Sequence, residues 1–110
     1  MNWFKKIADR IIDWQSPGLQ LRYVDELPEM VTDKVIYIVG EMNFPWLLAF
    51  KCPCGCQNLI QLNLLKDAEP CWRFKIDKKK KINIYPSVWR INGCKSHFFI
   101  RKSKIQWARF

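Results

Sequence analysis

Three cysteines crowd into five residues, Cys52-Pro53-Cys54-Gly55-Cys56, a density that packing alone does not ask for. Some forty positions on, Gly93-Cys94-Lys95-Ser96-His97 adds a fourth thiol and the one histidine of the chain. Thiolates and imidazole are the soft ligands that build a tetrahedral zinc site. A tight Cys-x-Cys-Gly turn presents two thiolates, and glycine lets backbone N–H groups approach sulfur. The pattern permits three sites: three cysteines with His97, four cysteines, or three cysteines with an open position. The pairs Cys52/Cys54 and Cys54/Cys56 lack the usual two-residue spacing, so the ligand choice stays open. Cys71, ahead of Trp72, reads as a structural spare.

His97 has three readings: a zinc ligand, a general base for a serine hydroxyl, or a hydrogen-bonded core histidine. The candidate nucleophiles are Ser87, Ser96 and Ser103. Ser96 adjoins His97, and neighbours in a regular strand point to opposite faces, so that pair needs a bulge or a turn. Ser87 lies on the strand facing His97 across Asn92-Gly93. An odd-numbered loop there puts Ser87 and His97 on one face; the two-residue Asn-Gly loop does not. Zinc-bound hydroxide is a rival chemistry, but the acidic residues form no His-Glu metalloprotease motif.

The elements that must hold these groups read mostly as strands. Leu19–Val24, Val35–Gly40, Trp46–Lys51, Leu59–Leu65, Trp72–Asp77, Ile82–Tyr85, Val88–Ile91, Lys95–Arg101 and Ile105–Trp107 carry β-branched, aromatic or alternating patterns. Asp25–Glu29, Lys78–Lys81 and Arg101–Lys104 read as turns, and Asn92-Gly93 is a hairpin signal. Trp3, Phe4, Ile7, Ile11, Ile12 and Trp14 recur at helical spacing, and Ser16-Pro17-Gly18 stops that pattern. The expected class is therefore mainly β: an amphipathic helix over residues 1–18, then one small antiparallel domain over residues 19–110 with a zinc-binding cysteine cluster.

The chain has 110 residues and a net charge of +9. That size suits one domain with a limited core, which a bound metal would reinforce. The charge fits a nucleic acid, an acidic protein or an anionic membrane surface and does not choose among them. The start, Met1-Asn2-Trp3-Phe4-Lys5-Lys6, lacks a continuous apolar stretch, and no apolar run reaches membrane-spanning length. A cytoplasmic protein is expected, in which clustered cysteines serve metal rather than disulfides. The helix reads first as one packed on the domain; basic near its start and rich in Trp and Phe, it also suits membrane-surface or partner contact.

Several motifs taken together resemble a family of small bacterial proteins. They are Val24-Asp25-Glu26-Leu27-Pro28, Val35 to Glu41, Phe50-Lys51-Cys52-Pro53-Cys54-Gly55-Cys56, Cys71-Trp72-Arg73-Phe74, Pro86-Ser87-Val88-Trp89, and Gly93 to Ile100 with Trp107. The resemblance spans roughly residues 22–108. The family is associated with bacterial ubiquitin-like conjugation operons, and its members look like zinc-containing serine peptidases acting on ubiquitin-like proteins. It implies metal-binding positions at Cys52, Cys54, Cys56 and Cys94, and the histidine at His97. Ser96 and Ser87 both match serines of its motifs, with Ser96 favoured because its motif is tighter. The implied partners are a ubiquitin-like substrate and enzymes of the conjugation pathway. Oxyanion donors near Gly93 and Cys94 fit such a site. A ubiquitin-like tail is extended, and Trp46, Trp72, Trp89 and Trp107 are candidates to line its groove, with core packing the alternative expected for most of them. The rival is a non-catalytic zinc-ribbon-like module for nucleic acid or a ubiquitin-like protein, in which His97 ligates zinc and the serines are inert.

Overall fold

In the computed structural model the described residues are 18–90 and 93–108. They form eight strands and no helix: β1 (Gln20–Val24), β2 (Val35–Glu41), β3 (Phe44–Lys51), β4 (Leu59–Asn63), β5 (Arg73–Ile76), β6 (Ile82–Trp89), β7 (His97–Arg101) and β8 (Lys104–Trp107). Of the amphipathic helix expected over residues 1–18, residues 1–17 lie outside the described residues. No helix among the described residues is long and apolar enough to cross a membrane.

The strands make two four-stranded sheets, β1-β2-β3-β4 and β5-β6-β7-β8. Their facing sides share one core. Ile36, Ile38, Leu48, Phe50, Ile60 and Leu62 come from the first sheet, and Ile82, Ile84, Val88, Phe98 and Ile100 from the second. Phe50 and Phe98 meet edge to face across the layers, with ring centroids 6.3 Å apart. Alternation explains the second sheet: in β7, Phe98 and Ile100 are buried while His97 and Phe99 between them are only partly covered.

The all-antiparallel expectation needs correcting at one place. β1 pairs with β2 in parallel, Gln20 opposite Val35 through Val24 opposite Val39. A parallel pair needs a crossover, and residues 25–34 supply it. Leu27 and Val31 of that segment pack over Val35, Tyr37, Val39 and Ala49 on the outer face of the sheet. Thr32 N donates to the Tyr37 hydroxyl at 3.0 Å. β2 is thus covered on both faces, which is why Val35 to Val39 is a continuous buried run rather than an alternating one.

β2 and β3 change register between Val39 and Gly40. Gly40 has φ of 134°, and an added Cβ would lie 2.8 Å from the Pro45 Cα. Gly40→Ala therefore meets both backbone strain and a backbone clash, and is expected to lower stability by about 2 kcal/mol in urea unfolding. An unchanged midpoint would contradict this close approach.

Two expected strands, Ile82–Tyr85 and Val88–Ile91, are one strand, β6. Its pairing with β7 shifts between Ile84, opposite Ile100, and Val88, opposite Phe98. The extra length sits around Pro86, which has no N–H to give to a ladder. Asp77 shapes the lysine turn: its Oδ1 accepts from Lys79 N and Lys81 N at 2.8 and 3.0 Å. Ser103, one of the candidate nucleophiles, is 1% exposed. Its Oγ accepts from Ile82 N at 2.9 Å, so it clasps the β7–β8 turn to β6.

Candidate active site and metal centre

The four candidate metal-ligand side chains converge from two loops. Cys52 follows β3, and the turn after it is closed by Gly55 N donating to Cys52 O at 3.3 Å and Cys52 N donating to Asn58 O at 2.8 Å. Gly55 takes φ of 92°, a conformation that suits glycine. Cys94 comes from the β6–β7 loop. Its ends are joined by Arg90 N donating to Ser96 O at 2.7 Å. The sulfurs of Cys52, Cys54, Cys56 and Cys94 all lie within 4.8 Å of one another. Cys52 Sγ is 3.4 Å from Cys54 Sγ and 3.6 Å from Cys94 Sγ. A zinc ion at about 2.3 Å from four thiolates needs sulfur–sulfur edges of about 3.8 Å. The donor set and its size therefore suit zinc in a closed, four-thiolate site. Cys71 stays apart from the cluster, and its thiol faces the Trp72 carbonyl at 3.5 Å.

The thiols are electrostatically unequal. Burial pushes the Cys52 thiol up to about 12, whereas the Ser96 hydroxyl holds Cys94 down to about 6. Cys54 is also lowered, first through its hydrogen bond from Cys52. A metal bound here would displace a proton from Cys52.

The structure places His97 outside this cluster. Its Nε2 lies 2.8 Å from Ser87 Oγ. The ladder explains this meeting. Trp89 stands opposite His97 and Val88 opposite Phe98, so the seven residues 90–96 separate the paired positions. That is the odd-numbered loop, not the two-residue Asn-Gly turn. Val88 and Phe98 face the core; Ser87, Trp89, His97 and Phe99 take the outer face of the sheet.

Aromatic rings set the pose of the histidine. Trp89 stacks on it with centroids 5.2 Å apart and planes at 17°, and Phe99 lies 5.9 Å away at 34°. Ser87 is steadied from behind by Trp72, whose indole N–H donates to the Ser87 carbonyl at 3.3 Å. On the opposite edge of β7, Ala108 N donates to His97 O at 3.0 Å. Ser96, one residue from His97, turns the other way, toward the sulfurs of Cys94 and Cys54. Of the three candidate serines, the fold thus brings one to His97, one to the thiols and one to the β7–β8 turn.

A serine hydroxyl hydrogen-bonded to an imidazole is the arrangement that lets a proton leave oxygen as it attacks carbon. Residues 23–108 match the family model described as "Bacterial ubiquitination-like system serine protease (BubE)". The chain belongs to the BubE family. No curated protein and no solved structure matches the chain. The BubE match starts in β1 and ends just past β8, so it covers both sheets, the cysteine cluster and the Ser87–His97 pair. The family description names a serine protease, in agreement with the expected class of enzyme. Sequence alone does not place Trp89 on His97, because its position opposite His97 depends on the loop parity.

Proposed function

We propose that this BubE-family member is a serine peptidase that cleaves a bacterial ubiquitin-like protein, as a precursor or a conjugate, with Ser87 as nucleophile and His97 as general base. The observation that carries this reading is the 2.8 Å approach of His97 Nε2 to Ser87 Oγ on the outer face of the second sheet. Ser87 Oγ attacks the scissile carbonyl carbon and passes its proton to His97 Nε2. The tetrahedral intermediate collapses, the C–N bond breaks, and His97 returns the proton to the departing amine. Water then attacks the acyl-serine, losing a proton to His97. The acid is released and Ser87 Oγ regains its proton. Trp89 and Phe99 hold the imidazole in line for both transfers.

Cys52, Cys54, Cys56 and Cys94 would hold one zinc ion, whose role would be structural, fixing the two loops that carry them. In this reading the enzyme works in the cytoplasm with residues 19–110 as its peptidase domain, and enzymes of the conjugation pathway are its partners beside the ubiquitin-like substrate.

His97→Ala tests the division of labour. Zinc content is expected to stay at one ion per chain while cleavage of a ubiquitin-like precursor disappears, read by mass spectrometry of the products. Loss of zinc together with unfolding would make His97 a ligand and overturn the Ser–His mechanism.

A further inference from the structure

The strands of the second sheet carry charge of one sign only, and Asp77, just past β5, is tied into the lysine turn through its Oδ1. Strands β5 to β8 contain Arg73, Lys75, Arg101 and Lys104 and no aspartate or glutamate. Arg73 stands opposite Tyr85 and Lys75 opposite Asn83. Both are exposed, while Phe74 and Ile76 between them pack toward the core. Arg101 follows His97 and Phe99 on the same face of β7.

Two of these cations are held in place by aromatic rings. The Arg73 guanidinium lies over Tyr85 at 5.5 Å, and that of Arg101 over Phe99 at 4.5 Å. Arg101 Nη1 also donates to Gln106 Oε1 at 3.0 Å. A guanidinium fixed by stacking loses less freedom when it then binds a carboxylate in a fork. β5 and β7 flank β6, so the two arginines straddle the strand of Ser87 at about two strand spacings, roughly 10 Å. Tyr85 and Trp89, 40% and 57% exposed, leave apolar surface along β6 between them. Arg73 also lines a cleft of about 470 Å³ with Lys66 and Trp72, the latter being the residue whose indole holds the Ser87 carbonyl.

We infer that this face is a binding platform for an extended acidic peptide segment, with Arg73 and Arg101 taking carboxylates of residues on one side of the bond presented to Ser87. The inference deepens the peptidase reading by giving its substrate a sequence chemistry. Charge complementarity commits the face to that occupant: Arg73, Lys75 and Arg101, with no carboxylate within the strands and apolar rings between them, suit a chain of alternating acidic and small residues. A single-stranded nucleic acid would use the same cations and rings, but the Ser87–His97 pair at the head of the face favours a peptide.

The test uses the full chain with Ser87→Ala, so that binding is read without cleavage. The probe is a short labelled peptide of alternating Asp and Gly, compared by fluorescence anisotropy with its Asn-for-Asp counterpart. The acidic peptide is expected to bind at least about tenfold more tightly, a preference that Arg73→Glu with Arg101→Glu removes and added salt weakens. An unchanged melting temperature shows that the double variant is folded. The inference is overturned if the two peptides bind within a factor of about two, if the arginine variant keeps the preference, or if an oligothymidylate displaces the peptide at lower concentration than the unlabelled peptide does. Binding with the expected preference, by a parent chain that cuts no substrate, would keep the platform and sink the peptidase.

Discussion

Ser87→Ala is expected to lower kcat/KM for a ubiquitin-like substrate by about a thousandfold or more, because removing a nucleophile that shares its proton with a base takes the whole catalytic unit with it. Ser96→Ala is expected to stay within about tenfold of the parent. The two serines are nine residues apart in sequence and serve different centres. Ser87 Oγ meets His97 Nε2 at 2.8 Å. The Ser96 hydroxyl lies against the thiols and is the main reason the Cys94 thiol is held down to about 6. What Ser96→Ala should change is the metal centre, as a lower zinc affinity in chelator competition. Steady-state cleavage and competition with a coloured chelator on the same two variants check both halves. The reverse pattern, with Ser96→Ala inactive and Ser87→Ala active, would refute the assignment.

Metal removal is the second large effect. Four thiols brought within 4.8 Å by residues some forty positions apart hold two loops together only while something neutralises and bridges them. The described domain is small, and its shared core draws on a dozen buried residues, so several kcal/mol from the metal is a large share of its stability. Chelation is expected to lower the melting temperature by roughly 20 °C, at about 4–8 °C for each kcal/mol in a domain of this size. Activity should fall in parallel. Cys94 lies three residues before His97, and the Arg90 N to Ser96 O bond at 2.7 Å ties that loop to the strand of Ser87. Scanning calorimetry and cleavage before chelation, after it, and after zinc is returned would show both losses and their recovery. A fully zinc-free protein that melts like the parent would contradict this role.

Much of this was legible from local sequence. Cys52 to Cys56 are neighbours whose glycine and spacing speak for themselves, and Cys94 joins them because a hairpin loop can reach back to a turn. The strands showed in their alternation, as in Phe98 and Ile100 against His97 and Phe99. What stayed hidden depends on partners. Nothing in Leu19 to Val24 says that β1 runs parallel to β2; that follows from Leu27 and Val31 finding the outer face of the first sheet. Nothing around Asn92-Gly93 says that the loop is odd. The dipeptide is a strong signal for a two-residue turn, yet the register of Trp89 with His97 is set by Val88 and Phe98 finding the core. The tighter motif favours Ser96, yet a tight motif places its residues side by side in sequence, and neighbours along a strand face opposite ways. Ser87 reaches His97 because they share a face.

The most direct test of the account is covalent labelling with a serine-directed fluorophosphonate, followed by intact mass and peptide mapping of the zinc-loaded protein. The account predicts one adduct, on Ser87, that is lost in His97→Ala while the zinc remains. An adduct on Ser96, or cleavage of the ubiquitin-like substrate by a protein whose Ser87 is never labelled and can be replaced by alanine, would contradict it.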